Sequence, residues 1–136
     1  MEHRIVADTD VVIDFFAGRP GYAEAVADLL RSRRLDVTAV TVFELYAGVK
    51  GTNRLRQLES FFSLVPVLPL GLLESARAGR IFTELKARGI TVGNQDILIA
   101  AICRVNERPL LTRNTSHFTA IEGLKLVSPA SLLGIP

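Results

Sequence analysis

Three carboxylates, Asp8, Glu44 and Asp96, stand where an apolar stretch or a loop gives way to a helical pattern. Asp8 closes the run Ile5-Val6-Ala7, Glu44 lies in Thr41-Val42-Phe43-Glu44, and Asp96 ends Thr91-Val92-Gly93-Asn94-Gln95-Asp96. Each has a purely structural explanation. Asp8 or Thr9 can cap the helix that follows, Thr41 and Glu44 have the Ser/Thr-x-x-Glu spacing of a capping box, and Asp96 complements a helix dipole with Asn94 as the cap. Together they also have a chemical one. Carboxylates gathered in a partly buried site repel by several kcal/mol unless a cation intervenes, and hard oxygen donors with room for water suit Mg²⁺ or Mn²⁺. An ion so held activates water and stabilises both oxygens of an in-line phosphoryl displacement.

The elements that must position these acids follow from hydrophobic periodicity. Ile5 to Ala7 reads as a short strand buried on both faces, which leaves Asp8 at its carboxyl end, where open α/β sheets place their ligands. Val11 to Ala17 and Tyr22 to Arg33 read as helices, the first stopped by Gly18-Arg19-Pro20-Gly21. Leu35 to Val40 is a second strand, Thr41 to Val49 a helix with Glu44 in its first turn, and Gly51 to Phe62 an amphipathic helix. Val65 to Leu68 is a third strand. Leu72 to Arg88 is the longest helical pattern, with Ala76, Ile81, Phe82 and Leu85 as its buried side and Gly89 as its stop. Ile97 to Val105 is apolar enough to be a central helix, Pro109 to Thr112 a fourth strand and Leu124 to Val127 a fifth. Strands alternating with helices predict a three-layer α/β/α sandwich with a mainly parallel sheet of four to five strands.

A chain of 136 residues is one domain, 1–136, able to bury a core without disulfides or structural metal. Hydrophobic residues at 49% and charged ones at 22% exclude disorder. The single cysteine, Cys103, lies in an apolar run and reads as a buried, inert thiol; it has no partner for an internal disulfide, which predicts a reducing cytoplasm. No signal-peptide pattern and no apolar run of about 18 residues is present, so no membrane association is expected. Sixteen Lys and Arg against fourteen Asp and Glu give a net charge of +2, a mild bias that permits an anionic partner. Arginine supplies most of that positive charge, and its planar fork suits phosphate.

Four ordered segments resemble the successive motifs of PIN-domain ribonucleases, specifically the VapC toxins of bacterial toxin–antitoxin pairs. They are Val6-Ala7-Asp8-Thr9-Asp10-Val11-Val12-Ile13-Asp14, Thr41-Val42-Phe43-Glu44-Leu45-Tyr46-Ala47-Gly48-Val49, Gln95-Asp96-Ile97-Leu98-Ile99-Ala100-Ala101 and Leu111-Thr112-Arg113-Asn114. The resemblance spans essentially the whole chain. It implies a divalent-metal-dependent endoribonuclease with Asp8, Glu44 and Asp96 as the acidic site, Asp8 and Asp96 being the principal Mg²⁺ or Mn²⁺ ligands. Thr9 would hold the first acid or the water. The family usually adds a fourth acid where this chain reads Asn114-Thr115-Ser116-His117-Phe118, which has no carboxylate. Asn114 can substitute through its carbonyl oxygen, His117 reads as a loop residue, and one tightly held ion rather than two is expected. Arg113 is placed to contact phosphate. The resemblance also implies a homodimer, a VapB-type antitoxin, and DNA met only through that antitoxin. The apolar surplus of Phe15, Phe16, Tyr46, Val49, Leu58, Phe61 and Phe62 predicts interface surface.

Two other readings share these residues. Asp8-Thr9-Asp10 with Val12 fits the opening of haloacid-dehalogenase-like phosphatases, but Lys86 and Lys125 have no downstream acidic pair near them. A non-catalytic binding subunit would have every acid as a cap.

Overall fold

A computed structural model describes residues 3–134, so the ends of the expected 1–136 domain lie outside the described residues. Strands β1 (Ile5–Ala7), β2 (Leu35–Thr38), β3 (Val67–Leu68), β4 (Leu110–Leu111) and β5 (Leu126–Val127) form one all-parallel sheet in the order β3-β2-β1-β4-β5. The helices between and after them are α1 (Thr9–Phe16), α2 (Tyr22–Arg31), α3 (Ala39–Gly48), α4 (Thr52–Leu64), α5 (Leu72–Ala87), α6 (Asn94–Val105), α7 (Thr115–Phe118) and α8 (Pro129–Leu133).

The alternation of side chains along β1 divides the interior. Ile5 and Ala7 pack with Val11, Val26, Leu29 and Leu58 on one face, while Val6 packs with Ile81, Ile99, Ile102 and Phe118 on the other. Covered on both sides, the central strands β1 and β4 are continuously apolar, as a parallel sheet between helices requires, while β2 interrupts the pattern with Asp36 and Thr38. This is the expected α/β/α sandwich. Helix α6 is the most deeply buried helix of the second face, and Cys103 within it is fully enclosed, with burial pushing its thiol pKa well up.

Chain order runs β1, β2, β3 toward one edge and then returns to β4 and β5 on the other side of β1. The direction of winding therefore reverses between β1 and β4, and the carboxyl ends of those two strands flank the crevice where such sheets bind ligands. Asp8 follows one of them and Thr112 the other.

At the amino end of the sheet, Asp36 is 1% exposed and binds Arg4 at 2.6 Å and Arg108 at 3.1 Å. It faces Val6 across the ladder. Arg4 and Arg108 sit just before β1 and β4, so one buried carboxylate ties three strands together. Nothing in the local pattern announced it, because a single acid in an apolar run reads as an interruption.

Several boundaries differ from the periodic reading. Strand β2 stops at Thr38, whose hydroxyl caps α3 by accepting the Thr41 amide at 3.2 Å. The helix thus starts two residues earlier than expected. The cap of α6 is Gly93, with no side-chain bond, and Asn94 is its first helical residue rather than its cap. On α5 the buried stripe is Ala78, Ile81 and Leu85; Ala76 and Phe82 face outward, the stripe being narrower than the apolar content suggested. Of the apolar surplus, Phe61 and Leu58 belong to the core, with Phe15, Phe16, Val49 and Phe62 packed against it and Tyr46 exposed.

Helix α5 ends as Gly89 suggested: Gly89 (φ 71°) donates to Lys86 at 3.0 Å and Ile90 to Leu85 at 2.9 Å, the paired bonds of a Schellman motif. Helices α2 and α6 end the same way without glycine. Arg33 (φ 55°) and Glu107 (φ 53°) take the left-handed position, while Arg34 bonds back to Leu29 and Arg108 to Cys103. This is why α2 ends at Arg31 and not at Arg33. A side chain in that conformation costs about 1 kcal/mol, which glycine relieves against its larger unfolded-state entropy. Arg33→Gly is expected to raise stability by about 0.5–1 kcal/mol, read as a higher urea midpoint at unchanged m-value.

Candidate active site

Asp8 is the N-cap of α1 and only 4% exposed. One carboxylate oxygen accepts the Thr9 amide at 2.8 Å and the other accepts the Thr112 hydroxyl at 2.8 Å, so the two strands flanking the crevice are bonded through this side chain. The Asp8 amide donates to Leu111 carbonyl at 2.9 Å, fixing the base of the loop. Desolvation pushes the Asp8 pKa from an ordinary 3.8 up to about 6; the hydrogen bonds from Thr112 and Thr9 pull it down, and the charges of Asp96 and Asp10 push it up again. The capping role and the chemical role are therefore compatible: the side chain caps the helix and still faces other carboxylates.

Glu44 lies in the second turn of α3, because the helix begins at Ala39. It is not half of a capping box. Thr38 supplies the cap, and Thr41 is the residue capped. Glu44 instead accepts the Thr9 hydroxyl at 2.8 Å, and Thr9 lies 2.9 Å from the Thr41 hydroxyl. Since the single Thr9 proton goes to Glu44, Thr41 donates to Thr9. Thr9 thus touches two acids at once, Asp8 through its amide and Glu44 through its hydroxyl, and couples the first turn of α1 to the middle of α3.

Asp96 lies in the first turn of α6 and its Oδ2 is 3.0 Å from His117 Nδ1. His117, expected to be an uninvolved loop residue, instead holds one of the three acids. Tertiary folding brought α7 over the start of α6, and no local signal in Asn114 to Phe118 could have revealed it. Asn114 donates its side-chain amide to Asp10. Arg113 sits 3.7 Å from Asp10 and 3.5 Å from Asp14, and Arg19 is 3.2 Å from Asp14. Asp14 is 2% exposed, and its Oδ2 has no hydrogen-bond partner among the described residues. Arg113, expected to be free for phosphate, is committed to these carboxylates. Asp10 and Asp14 thus form a supporting layer for the Arg113-Asn114 turn that the sequence reading passed over.

The donor set around Asp8 is carboxylate and amide oxygen, the chemistry of a hard divalent cation such as Mg²⁺ or Mn²⁺. Asp8 fits such an ion because its charged form is disfavoured by burial and by two neighbouring acids. Among the described residues no three Asp, Glu, His or Cys side chains converge as a ready-made cage. The Asp96 charge raises the Asp8 pKa, while Glu44 is joined to Asp8 through Thr9.

The sequence model of the family described as PIN domain matches residues 5–124, nearly all of the sheet and every residue of this site. The chain belongs to the PIN domain family. Ribonuclease VapC19 of Mycobacterium tuberculosis is 33% identical over 120 residues, covering 87% of this chain and 94% of that protein. The tRNA(fMet)-specific endonuclease VapC of Shigella flexneri is 26% identical over 126 residues, covering 90% and 95%. DNA-bound VapBC of Salmonella typhimurium contains a chain that superposes with a TM-score of 0.81 at 22% identity, covering 94% of this chain and 99% of that one; at that identity the likeness shows the fold. The match places the chain among PIN domains of the VapC type and displaces the haloacid-dehalogenase alternative. Among the described residues of this PIN domain no helix is long and apolar enough to cross a membrane.

The Asp8 titration has a consequence for stability. Its folded pKa of about 6 lies above the ordinary 3.8, so the native state holds the proton more tightly than the unfolded chain. The stabilisation is complete below pH 3.8 and is lost as pH rises through about 6. Asp8→Asn, whose carbonyl can accept the Thr9 amide while its NH₂ donates to the Thr112 hydroxyl oxygen, is expected to flatten that fall and to exceed the parent in chelator above pH 6 by on the order of 2–3 kcal/mol. Urea unfolding between pH 4 and pH 8 measures it. Parallel curves for parent and variant would assign the slope to another group.

Proposed function

We propose that this PIN domain is the toxin of a type II toxin–antitoxin pair, a Mg²⁺- or Mn²⁺-dependent endoribonuclease acting in the cytoplasm. The observation that carries the reading is the buried Asp8 carboxylate at the β1/β4 crevice, raised in pKa by its own desolvation and by facing Asp96 and Asp10. Two VapC relatives named as nucleases, one of them specific for a tRNA, agree with RNA as the substrate.

In this reading Asp8 and Asp96 hold the ion, Glu44 adds a carboxylate from α3, and Asn114 takes the place of a fourth acid through its carbonyl oxygen. A bound divalent ion would supply the positive charge that activates water and offsets the charge developing on the phosphoryl oxygens. Thr112 and the Thr9 amide keep the Asp8 carboxylate in one orientation, and the Thr9 hydroxyl keeps Glu44 turned toward α1. His117 restrains Asp96. Asp10 and Thr112 hold Asn114 in place, and Arg113 pairs with Asp10 and Asp14 behind it, so Arg113 is a supporting residue rather than a phosphate contact.

Asp96→Asn is expected to leave the metal-free protein at least as stable, because it removes one of two acids that raise Asp8, while cleavage falls by orders of magnitude. Cleavage of total RNA in Mn²⁺ and unfolding in chelator read the two halves. An unfolded variant, or an active one, would make Asp96 a dipole acid and nothing more.

The partner reading rests on surface. Ile13, Phe16, Leu45, Val49 and Leu58 line an open groove of about 450 Å³ whose wall includes Glu44. Phe43 and Tyr46 stand exposed on the same helix as Glu44. Such a groove accepts the apolar face of an antitoxin helix, and solved VapBC relatives pair toxin with antitoxin and, through the complex, with DNA. Self-association into a homodimer is supported by a second apolar surface of Leu64, Leu70, Leu72 and Leu73. A partner arginine placed between Asp8, Glu44 and Asp96 would satisfy their charge with bidentate bonds and exclude the metal. The cognate antitoxin is therefore expected to carry an essential arginine or lysine and to bind more weakly as Mn²⁺ is raised. Titration calorimetry across Mn²⁺ concentrations tests this, and an affinity indifferent to Mn²⁺ would refute it.

A further inference from the structure

At the end of the sheet opposite Asp8, four cations surround one groove of about 390 Å³: Arg77 of α5, Arg104 of α6, Arg108 ahead of β4 and Lys125 ahead of β5. Glu107 is the one acid in its lining, and Cys103, Pro109 and Gly123 complete the walls. Among the described residues, Arg77, Arg104 and Lys125 make no ion pair and no side-chain hydrogen bond. Elsewhere Arg4, Arg19, Arg31 and Arg113 find carboxylates, while Arg33, Arg56 and Arg80 stand singly on the surface; the groove is distinguished by gathering its cations on one wall. An arginine at a helix end often needs no explanation beyond the dipole. Arg104 stands in the last turn of α6, where it complements the dipole, yet its guanidinium caps no carbonyl and lies across Gly123 in the wall of the groove.

The groove is shaped for this arrangement. Gly123 has φ 79°, a backbone that favours glycine, and the Arg104 guanidinium packs over it so closely that a Cβ there would meet it at 3.1–3.3 Å and push it aside by a few tenths of an ångström. Arg108 is held from below by the buried Asp36 at 3.1 Å and donates to the Asn106 carbonyl at 2.9 Å. Asp36 is shared between Arg108 and Arg4, and Glu107 is the acid that stands against the remaining three cations of the groove.

We infer that this groove is a phosphate-binding exosite for single-stranded RNA, in which Arg104, Arg77 and Lys125 take the backbone of the substrate at a distance from the Asp8 crevice. The Arg104 guanidinium, packed across Gly123, loses little freedom on binding, and guanidinium groups pair with phosphate oxygens bidentately. With no aromatic side chain in the lining, the contact is electrostatic and blind to base identity. It rests on the reading of RNA as substrate.

The test uses the full chain in chelator with a long, fluorescent, cleavage-resistant 2′-O-methyl RNA strand, read by anisotropy over a range of salt. The Arg104→Ala/Lys125→Ala double variant is expected to bind several-fold more weakly, with the slope of log Kd against log salt reduced by about 1.4, two phosphates at roughly 0.7 each for single strands. Arg56→Ala, removing an exposed charge of α4, serves as the control and is expected to leave that slope unchanged. In Mn²⁺ the double variant should cleave short fragments at the parental rate and lose efficiency on long strands. An unchanged slope in the double variant, or a loss matched by Arg56→Ala, overturns the exosite while leaving the nuclease reading intact. Displacement of the RNA by a poly-glutamate peptide at lower concentration than by polyphosphate assigns the groove to an acidic protein segment and overturns it as well. A parent that neither binds nor cleaves RNA ends both readings.

Discussion

The burial of the Asp8 carboxylate is the constraint from which the rest of the structure follows. A carboxylate 4% exposed to water loses most of its hydration, and only hydrogen bonds or opposite charge can replace it. The fold supplies two bonds, one from the first turn of α1 and one from Thr112 beyond β4. Those bonds pin the two strands on either side of the winding reversal. They do not fully compensate, as the raised pKa records. The remaining deficit is what a divalent cation would cancel, so the same side chain closes the fold and carries the unfinished electrostatics of the site.

The protein manages charge differently at the two ends of its sheet. At the amino end a buried acid meets two arginines directly and the account closes within the chain, giving the strands a common anchor in Asp36. At the carboxyl end acids face acids, with threonine hydroxyls, an asparagine amide and a histidine between them. Hydroxyl and amide groups orient carboxylates without neutralising them. A salt bridge in that position would satisfy Asp8 permanently and leave nothing for a metal to do. Arg113 comes near the site, but its charge goes to Asp10 and Asp14, one layer behind.

That supporting layer explains how a chain lacking a fourth acid can still build an ordered turn. Asn114 is held by Asp10, and Arg113 bridges Asp10 to the buried Asp14. His117 restrains Asp96 from α7, a helix of four residues with little stability of its own. The order of this corner therefore depends on side-chain bonds to α1 and α6 rather than on helix propensity.

By itself the sequence determined the fold class, the strand positions to within a few residues, the burial of Cys103 and the acids worth examining. Each is written in short-range pattern: continuous apolar runs for covered strands, 3.6-residue periodicity for helices, and acids at strand-to-helix junctions. Where the signal was local and chemical, as with Gly89 after α5, the boundary was legible; where a helix stopped on Arg33 or Glu107 in a left-handed conformation, it was not, since packing rather than residue type chose that turn. The capping role given to Glu44 also failed for a local reason, because Thr38 and Thr41 offered competing caps three residues apart and only the length of β2 selects between them. Tertiary structure alone decided that Thr112 holds Asp8, that Thr9 joins Asp8 to Glu44, that His117 meets Asp96, and that Asp36 ties β1, β2 and β4. Those partners lie between 21 and 104 residues apart in the chain, apart from the Asp8–Thr9 contact. Such pairings leave no periodic trace, because they depend on which strand lies beside which, and that order exists only once the sheet has formed.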